Sequence, residues 1–316
     1  MRVLLAIDGS ISSDKARDLV ASLPFPDGST IRVVGVLEHG PELFGLPWIP
    51  VTPEGGATVE QQLVTRFMDA LLTAERDITR PGISVDHVLL RGHAARAIVD
   101  EARQAGAELV VLGSRGHGAI GTTVLGSTSA EVVDHAPCPV LVVRGPRISS
   151  ILFAEDGSVG AAGAARLIDE SPIFARLPVT VISVAETGIA WAGAAPGAYE
   201  AVMEPYSESI ETVHRQHVEL ADRRAEWLAR DGRTVEREVR DGDPAAEIVA
   251  VAAERGADLI VVGTRGHTGL TRMILGSVAR NVLIHAPGSV LVVREGVGPA
   301  PSELASVGAA SGAGGR

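Results

Sequence analysis

The sequence is poor in several residue types, and each shortage removes a class of protein. Cysteine occurs once, at Cys138, so no internal disulfide can form and no Cys-x-x-Cys or Cys/His cluster is there to hold structural zinc. A reducing cytoplasm fits that usage, and the thiol itself reads as a buried small residue. Lysine also occurs once, at Lys15, with no glycine run before it, which excludes the G-x-x-x-x-G-K-[ST] phosphate loop of Walker-type NTPases. The dinucleotide pattern G-x-G-x-x-G is missing after the first apolar run as well. Aromatics make up only 3%, so the core has to be built from Val, Leu, Ile and Ala, as in buried parallel sheets. No apolar run approaches the roughly 18 residues of a membrane span. Met1 leads directly into Val3–Ile7 without a basic segment, so nothing addresses the chain to export. Positive charge is in deficit too: the net charge of −11 opposes binding to a nucleic-acid backbone or an anionic membrane.

What is present is a soluble composition, 46% hydrophobic and 21% charged, over 316 residues, enough for two domains of roughly 150 residues. The chain is written twice. The segment VLGSRGHGAIGTTVLGSTSAEVVDHAPCPVLVVR, ending at Arg144, returns without a gap as VVGTRGHTGLTRMILGSVARNVLIHAPGSVLVVR, ending at Arg294. The openings repeat as well, LLAIDGS ending at Ser10 and LFAEDGS ending at Ser158.

Apolar strands alternate with helical stretches in both copies, which predicts βαβ units and an α/β fold of two five-stranded domains. In the first copy the strands are expected near Val3–Ile7, Ile31–Leu37, Val85–Leu90, Leu109–Leu112 and Val140–Val143, with helices over Asp14–Leu23, Thr58–Ile78, Ala94–Ala105 and Ser127–His135. In the second the strands fall near Ile151–Ala154, Val179–Val184, Thr234–Val239, Leu259–Val262 and Val290–Val293. The domains are set at 1–145 and 149–295. Residues 296–316 collapse to Gly, Ala, Ser and Pro and read as a disordered tail.

The motif that carries most information is Gly113-Ser114-Arg115-Gly116, nine residues, then Gly126-Ser127; it repeats as Gly263-Thr264-Arg265-Gly266, nine residues, then Gly276-Ser277. A glycine at the end of a buried strand permits a sharp turn and close approach of a ligand to the backbone. The second glycine opens a helix whose N–H groups and positive dipole end suit an anion, with Ser127 or Ser277 as a hydroxyl donor. Without a ligand, the same residues read as a turn and a helix cap. Arg115 and Arg265 are the cations nearest the cradle and suit phosphate oxygens, although such arginines often only solvate a loop. His117 and His267 follow the second glycine and are placed for a phosphate contact rather than for catalysis, since no carboxylate orienter is evident.

Asp8 and Asp156 end the first strand of each copy. There a carboxylate either accepts hydrogen bonds from a base or ribose, or serves as a helix N-cap. His214 and His217 are spaced for one helical face, as metal ligands or, more simply, as a solvated surface. Residues 38–57 and 186–206 read as long loops, yet they hold Phe44, Trp48, Trp191, Tyr199 and Tyr206, which fits lids, a partner surface or local packing. The edge strands Val140–Val143 and Val290–Val293 are apolar and need covering.

The DGS openings, the paired cradles and the APCPVLVV ending resemble the universal stress protein family, here as two fused domains over about residues 1–295. The resemblance implies Rossmann-like domains, each a five-stranded parallel sheet of order 3-2-1-4-5 flanked by helices, with ATP, with or without Mg2+, across the switch between strands one and four. It places Asp8 and Val36 at the adenine, Gly113 at the ribose, and Gly116, Gly126, Ser127 and Thr128 at the phosphates. In the second copy these become Asp156, Val184, Gly263, Gly266, Gly276, Ser277 and Val278. It also implies pairing of the two domains through their last strands, and it leaves a homodimer and an unidentified protein partner open. The expected function is that of a cytoplasmic ATP-binding stress-response protein that signals or changes its interactions with occupancy. A slow ATP hydrolase or phosphotransfer protein, or a structural dimerisation protein with empty cradles, is the alternative. The second copy has Arg272 and Asp243-Pro244 where the first has Thr122 and His93-Ala94, so the second site is expected to bind more tightly.

Overall fold

The structure is a computed structural model, which describes residues 1–38, 53–116, 125–186, 198–264 and 275–294. Apolar runs buried on both faces form the first half-sheet: β1 (Arg2–Ala6), β2 (Ser29–Leu37), β3 (Ile83–Arg91), β4 (Leu109–Gly113) and β5 (Val140–Val143). Between them lie α1 (Ile11–Ser22), α2 (Pro53–Ile78), α3 (Ala94–Gln104) and α4 (Ser127–His135). The second half repeats the plan with β6 (Ile151–Ala154), β7 (Val179–Ala185), β8 (Val235–Asp241), β9 (Leu259–Gly263) and β10 (Ser289–Val293). Its helices are α5 (Val159–Glu170), α6 (Ala198–Ala229), α7 (Pro244–Arg255) and α8 (Ser277–His285), with a short 3-10 turn at Pro172–Phe174.

Strand order is β3-β2-β1-β4-β5-β10-β9-β6-β7-β8 in one ten-stranded sheet. Each half is parallel, with the order 3-2-1-4-5 in its own strands, and the halves join where β5 and β10 pair antiparallel, Leu141 opposite Leu291. The two-residue period of a strand divides the core into two layers. Val3, Leu5, Leu141, Phe153, Val261 and Leu291 pack with α1, α2, α5 and α6, whereas Leu4, Ala6, Val142, Leu152, Ile260 and Val290 pack with the other four helices. Both layers run unbroken through the junction. On α3, Ala95, Ile98, Val99 and Ala102 follow the helical i, i+3, i+4, i+7 spacing and are buried.

Two arginines fasten the junction reciprocally. Arg144, which follows β5, donates to the carbonyls of Leu283 (2.6 Å) and Gly288 (3.2 Å) at the C-terminal end of α8. Arg294, which follows β10, donates to the carbonyls of Ala136 (2.6 Å) and Asp134 at the end of α4. Each cation satisfies carbonyls at the helix end, Gly288 lying in the turn just past α8, and sits at the negative end of the dipole. Burial, with the charge of Arg115, lowers the Arg144 guanidinium to about 10, so it is still protonated at neutral pH. Arg280 on α8 adds a 2.9 Å ion pair to Asp134 on α4.

Several expectations are corrected. Helix α1 begins at Ile11 rather than Asp14, because Ser10 accepts a hydrogen bond from the Ser13 amide and starts the helix inside a serine-rich stretch that reads as loop. The expected loop over 186–206 is shorter, since residues 198–206 belong to α6 and Tyr199 and Tyr206 therefore lie on a helix; Pro205 made the stretch read as irregular. Phe44, Trp48, Trp191 and the 296–316 tail lie outside the described residues. Cys138 is 2% exposed, and burial pushes its thiol up to about 12.

Candidate functional site

At the carboxyl end of β1 the chain turns through Asp8-Gly9-Ser10 into α1. Asp8 Oδ1 accepts the Ser10 amide at 2.9 Å, and Gly9 takes φ +75°, a value that only glycine adopts cheaply. The helix cap is Ser10, not Asp8, which corrects the capping alternative for the aspartate. The other carboxylate oxygen, Oδ2, faces Gly116 so closely that a Cβ there would stand 2.8 Å from it. The turn and the cradle's second glycine therefore meet, although 108 positions of sequence separate them.

Gly113, the last residue of β4, is glycine for a different reason. A Cβ at 113 would lie 2.7 Å from the Ser12 carbonyl carbon and oxygen, so its bare Cα lets α1 close onto the strand end. The loop that follows is closed by backbone bonds, Ser114 N–H to Val143 (3.1 Å) and Gly126 N–H to Ser114 (2.9 Å). Hydroxyl groups stitch it further. Ser12 Oγ accepts the Arg115 amide at 3.2 Å, Ser10 donates to the Arg115 carbonyl at 3.3 Å, and Ser129 donates to the Gly113 carbonyl at 2.8 Å.

Helix α4 opens at Gly126 with extended backbone and, among the described residues, no side-chain cap. Its first amides are thus left for another acceptor, beside exposed Ser127 and half-buried Thr128. Other helices do not share this. Ser10 caps α1, Ser158 caps α5, Asp243 caps α7 through the Ala246 amide, and Glu38 accepts the Ala94 amide at α3. Only α8, opening at Gly276, repeats the α4 arrangement among the caps described.

Among the described residues, the second half repeats the turn, the strand-end contact and the backbone closure of the first. Asp156 Oδ1 accepts the Ser158 amide at 2.9 Å, Gly157 has φ +79°, and Gly276 N–H closes on the Thr264 carbonyl at 2.8 Å. A Cβ at Gly263 would stand 2.8 Å from the Gly160 carbonyl carbon, the counterpart of the Gly113 contact. Val36 and Val184 are each 9% exposed on the second strand of their half, next to β1 and β6. A model of the universal stress protein family matches residues 1–144 and 148–294.

The chain belongs to the universal stress protein family. It is 30% identical over 303 residues to a universal stress protein of Mycobacterium tuberculosis, covering 93% of this chain and 97% of that one. A shorter universal stress protein of Thermus aquaticus is 35% identical over 143 residues, 45% of this chain and 97% of its own. In fold, the chain is similar to the crystal structure of a universal stress protein from Archaeoglobus fulgidus, with a TM-score of 0.60 at 20% identity, covering 93% of this chain and 98% of that one. Membership supports a stress-response role. No helix among the described residues is long and apolar enough to cross a membrane.

In this universal stress protein the two site halves differ in detail. Ser129 and Thr128 of the first are Ala279 and Val278 in the second, which removes the clasp to the strand end and one hydroxyl at the helix mouth. His117, Arg265, Gly266, His267, Thr122 and Arg272 lie outside the described residues. Arg115 is half-buried at the first cradle. Of the pair His214 and His217, the first lies at the solvated surface and the second is half-buried. His214 Nδ1 is 3.0 Å from both Asp241 oxygens, and His217 Nδ1 is 2.8 Å from Ser183 Oγ, so α6 spends them on two different strands. Sequence reasoning missed Ser12 and Ser129, whose partners are distant in sequence. It also passed over Glu155, where the first copy has Ile7, although a carboxylate at the end of an apolar strand is visible as an anomaly.

Proposed function

We propose that this universal stress protein binds ATP at the carboxyl edge of one or both half-sheets and uses occupancy to change its interaction with a partner protein. The observation that carries the reading is the convergence of the Asp8 carboxylate, Gly116 and the N-terminus of α4, which has no side-chain cap among the described residues, with the Asp156 turn and the opening of α8 at Gly276 as the described counterparts in the second half. The residues fit the ligand. Asp8 and Asp156 are acceptors suited to a base amino group or a ribose hydroxyl, while α4 and α8 offer amides and a dipole end to phosphate oxygens. Ser127, Thr128 and Ser277 would add hydroxyl donors. Gly116 leaves open the space beside Asp8 that a side chain would fill. ATP brings to this site a polyanion and a base; the chain's own part is to orient both.

A ligand that binds only the native state raises stability by mass action, about 2.7 kcal/mol at one hundred times Kd. Melting the full chain with ATP and Mg2+, with cyclic AMP, or in buffer is therefore expected to show an upward shift with ATP. An unchanged melting temperature at millimolar ATP would contradict the proposal.

A further inference from the structure

The two ligand turns have nearly the same backbone but different foundations. In the first half, Ile7 roots the turn in an apolar layer: Gly35 beside it lies against Phe67 and Leu71 of α2, with Ala74 one turn on. In the second half, the equivalent places hold Glu155, Ser183, His217, Ala221 and Arg224. The strand register confirms the match, because Ile7 N–H bonds to Val34 and Glu155 N–H to Ile182, each one residue before Gly35 and Ser183.

Four polar groups here form one network. The Glu155 side chain is wholly buried, and its Oε2 accepts Arg224 Nε, whose side chain is 17% exposed. Its Oε1 accepts the Gly157 amide at 2.8 Å, the middle of the ligand turn. Ser183 Oγ donates to the Glu155 carbonyl at 2.8 Å. A hydroxyl has one proton, so His217 Nδ1 donates to Ser183 at 2.8 Å. The guanidinium also lies 5.6 Å from the Trp227 ring centre.

Burying an ion pair usually gains little over apolar packing of the same volume, and Ile7 demonstrates that apolar packing supports this turn: φ is +75° at Gly9 and +79° at Gly157. We infer that Glu155 and Arg224 are positioning residues of the second site, a strut that ties the Asp156-Gly157-Ser158 turn to helix α6. The affinity of the second site then depends on a buried charge pair with α6, whereas beneath the first turn the same place holds apolar Ile7, and the α2 charge near that turn is exposed Arg66, 3.9 Å from the Cβ position of Gly9. The assignment rests on the nucleotide reading of the turn.

Glu155→Gln tests it at constant volume. Both partners of the carboxylate are donors, and a carboxamide offers only one acceptor, so one contact must break. Amide hydrogen exchange is measured at Gly157 and Ser158, with Gly9 and Ser10 of the same molecule as control. ATP affinity is measured in a Gly116→Val background that leaves the second site. The expected results are Gly157 exchange about tenfold faster or more, with Gly9 unchanged, and ATP affinity about tenfold weaker at the second site. The fivefold variant Glu155→Ile/Ser183→Gly/His217→Phe/Ala221→Leu/Arg224→Ala, which installs the first-half residues at all five places, should restore both. Unchanged Gly157 exchange, or faster exchange with unaltered affinity, overturns the strut. If the unmodified chain binds no ATP while Gly157 exchange still accelerates in Glu155→Gln, the nucleotide reading falls and the strut on the turn stands.

Discussion

Replacing Gly113 with valine is expected to destabilise the first half of the molecule by about 3 kcal/mol or more. The new Cβ would stand 2.7 Å from two backbone atoms of Ser12 and 2.9 Å from the Ser13 amide nitrogen, and backbone at the start of a capped helix cannot step aside as a flexible side chain would. Either α1 retreats from β4, opening the layer that holds Leu19 and Val111, or the strand end distorts and carries Ser114 with it. Gly263→Val should act likewise through Gly160 and Ala161. Gly163 on α5 is the control, since nothing lies within 4 Å of its Cβ position, and Gly163→Ala should stabilise by up to about 1 kcal/mol through helix propensity. Urea denaturation checks all three. A Gly113→Val loss below about 1 kcal/mol would show that the close approach of α1 is not what fixes glycine there.

The second large effect belongs to the junction. Arg144→Ala removes a half-buried cation from one carbonyl in the last turn of α8 and one just beyond it, and Arg294→Ala removes its counterpart at the end of α4. A hydrogen bond to a charged group contributes about 1.5–3 kcal/mol, and the carbonyls left behind are in a packed junction, so each substitution should cost about 2–4 kcal/mol. Lysine should recover only part of that, because a point charge replaces a planar fork that meets two acceptors at once. Denaturation midpoints of the single and double variants decide the matter. Losses under about 0.5 kcal/mol would mean that the β5–β10 pairing and its apolar layers alone hold the halves together.

Much of this arrangement is legible in the sequence, and the reasons are local. Strands such as LVVLG and VLVV are continuous apolar runs bounded by turn residues, and their recurrence after a fixed interval identifies the doubled plan. The spacing from Gly113 to Gly126 places an open helix mouth after β4 because glycine identity and helix start are both read within a few residues. What stays hidden depends on partners far apart in the chain. The cause of glycine at 113 lies in Ser12, one hundred and one residues away, and the partner of Glu155 lies in Arg224 on another element. Ser10, Ser12 and Ser13 look like loop until the cap is seen, after which the first of them starts a helix and the second closes the cradle. Arg144 and Arg294 appear in the sequence only as the last letters of a repeated strand. Their role emerges when the strands pair and each arginine reaches the opposite helix.

The central claim is that the doubled cradle holds ATP, and calorimetric titration of ATP with Mg2+ into the full chain tests it most directly. The account predicts saturable binding with one or two sites per chain, and loss of that heat in Gly116→Val/Gly266→Val, with the fold checked by circular dichroism; among the described residues a Cβ at Gly116 meets the far end of the Asp8 side chain. No heat in the unmodified chain, or the same affinity in the double variant, would contradict it.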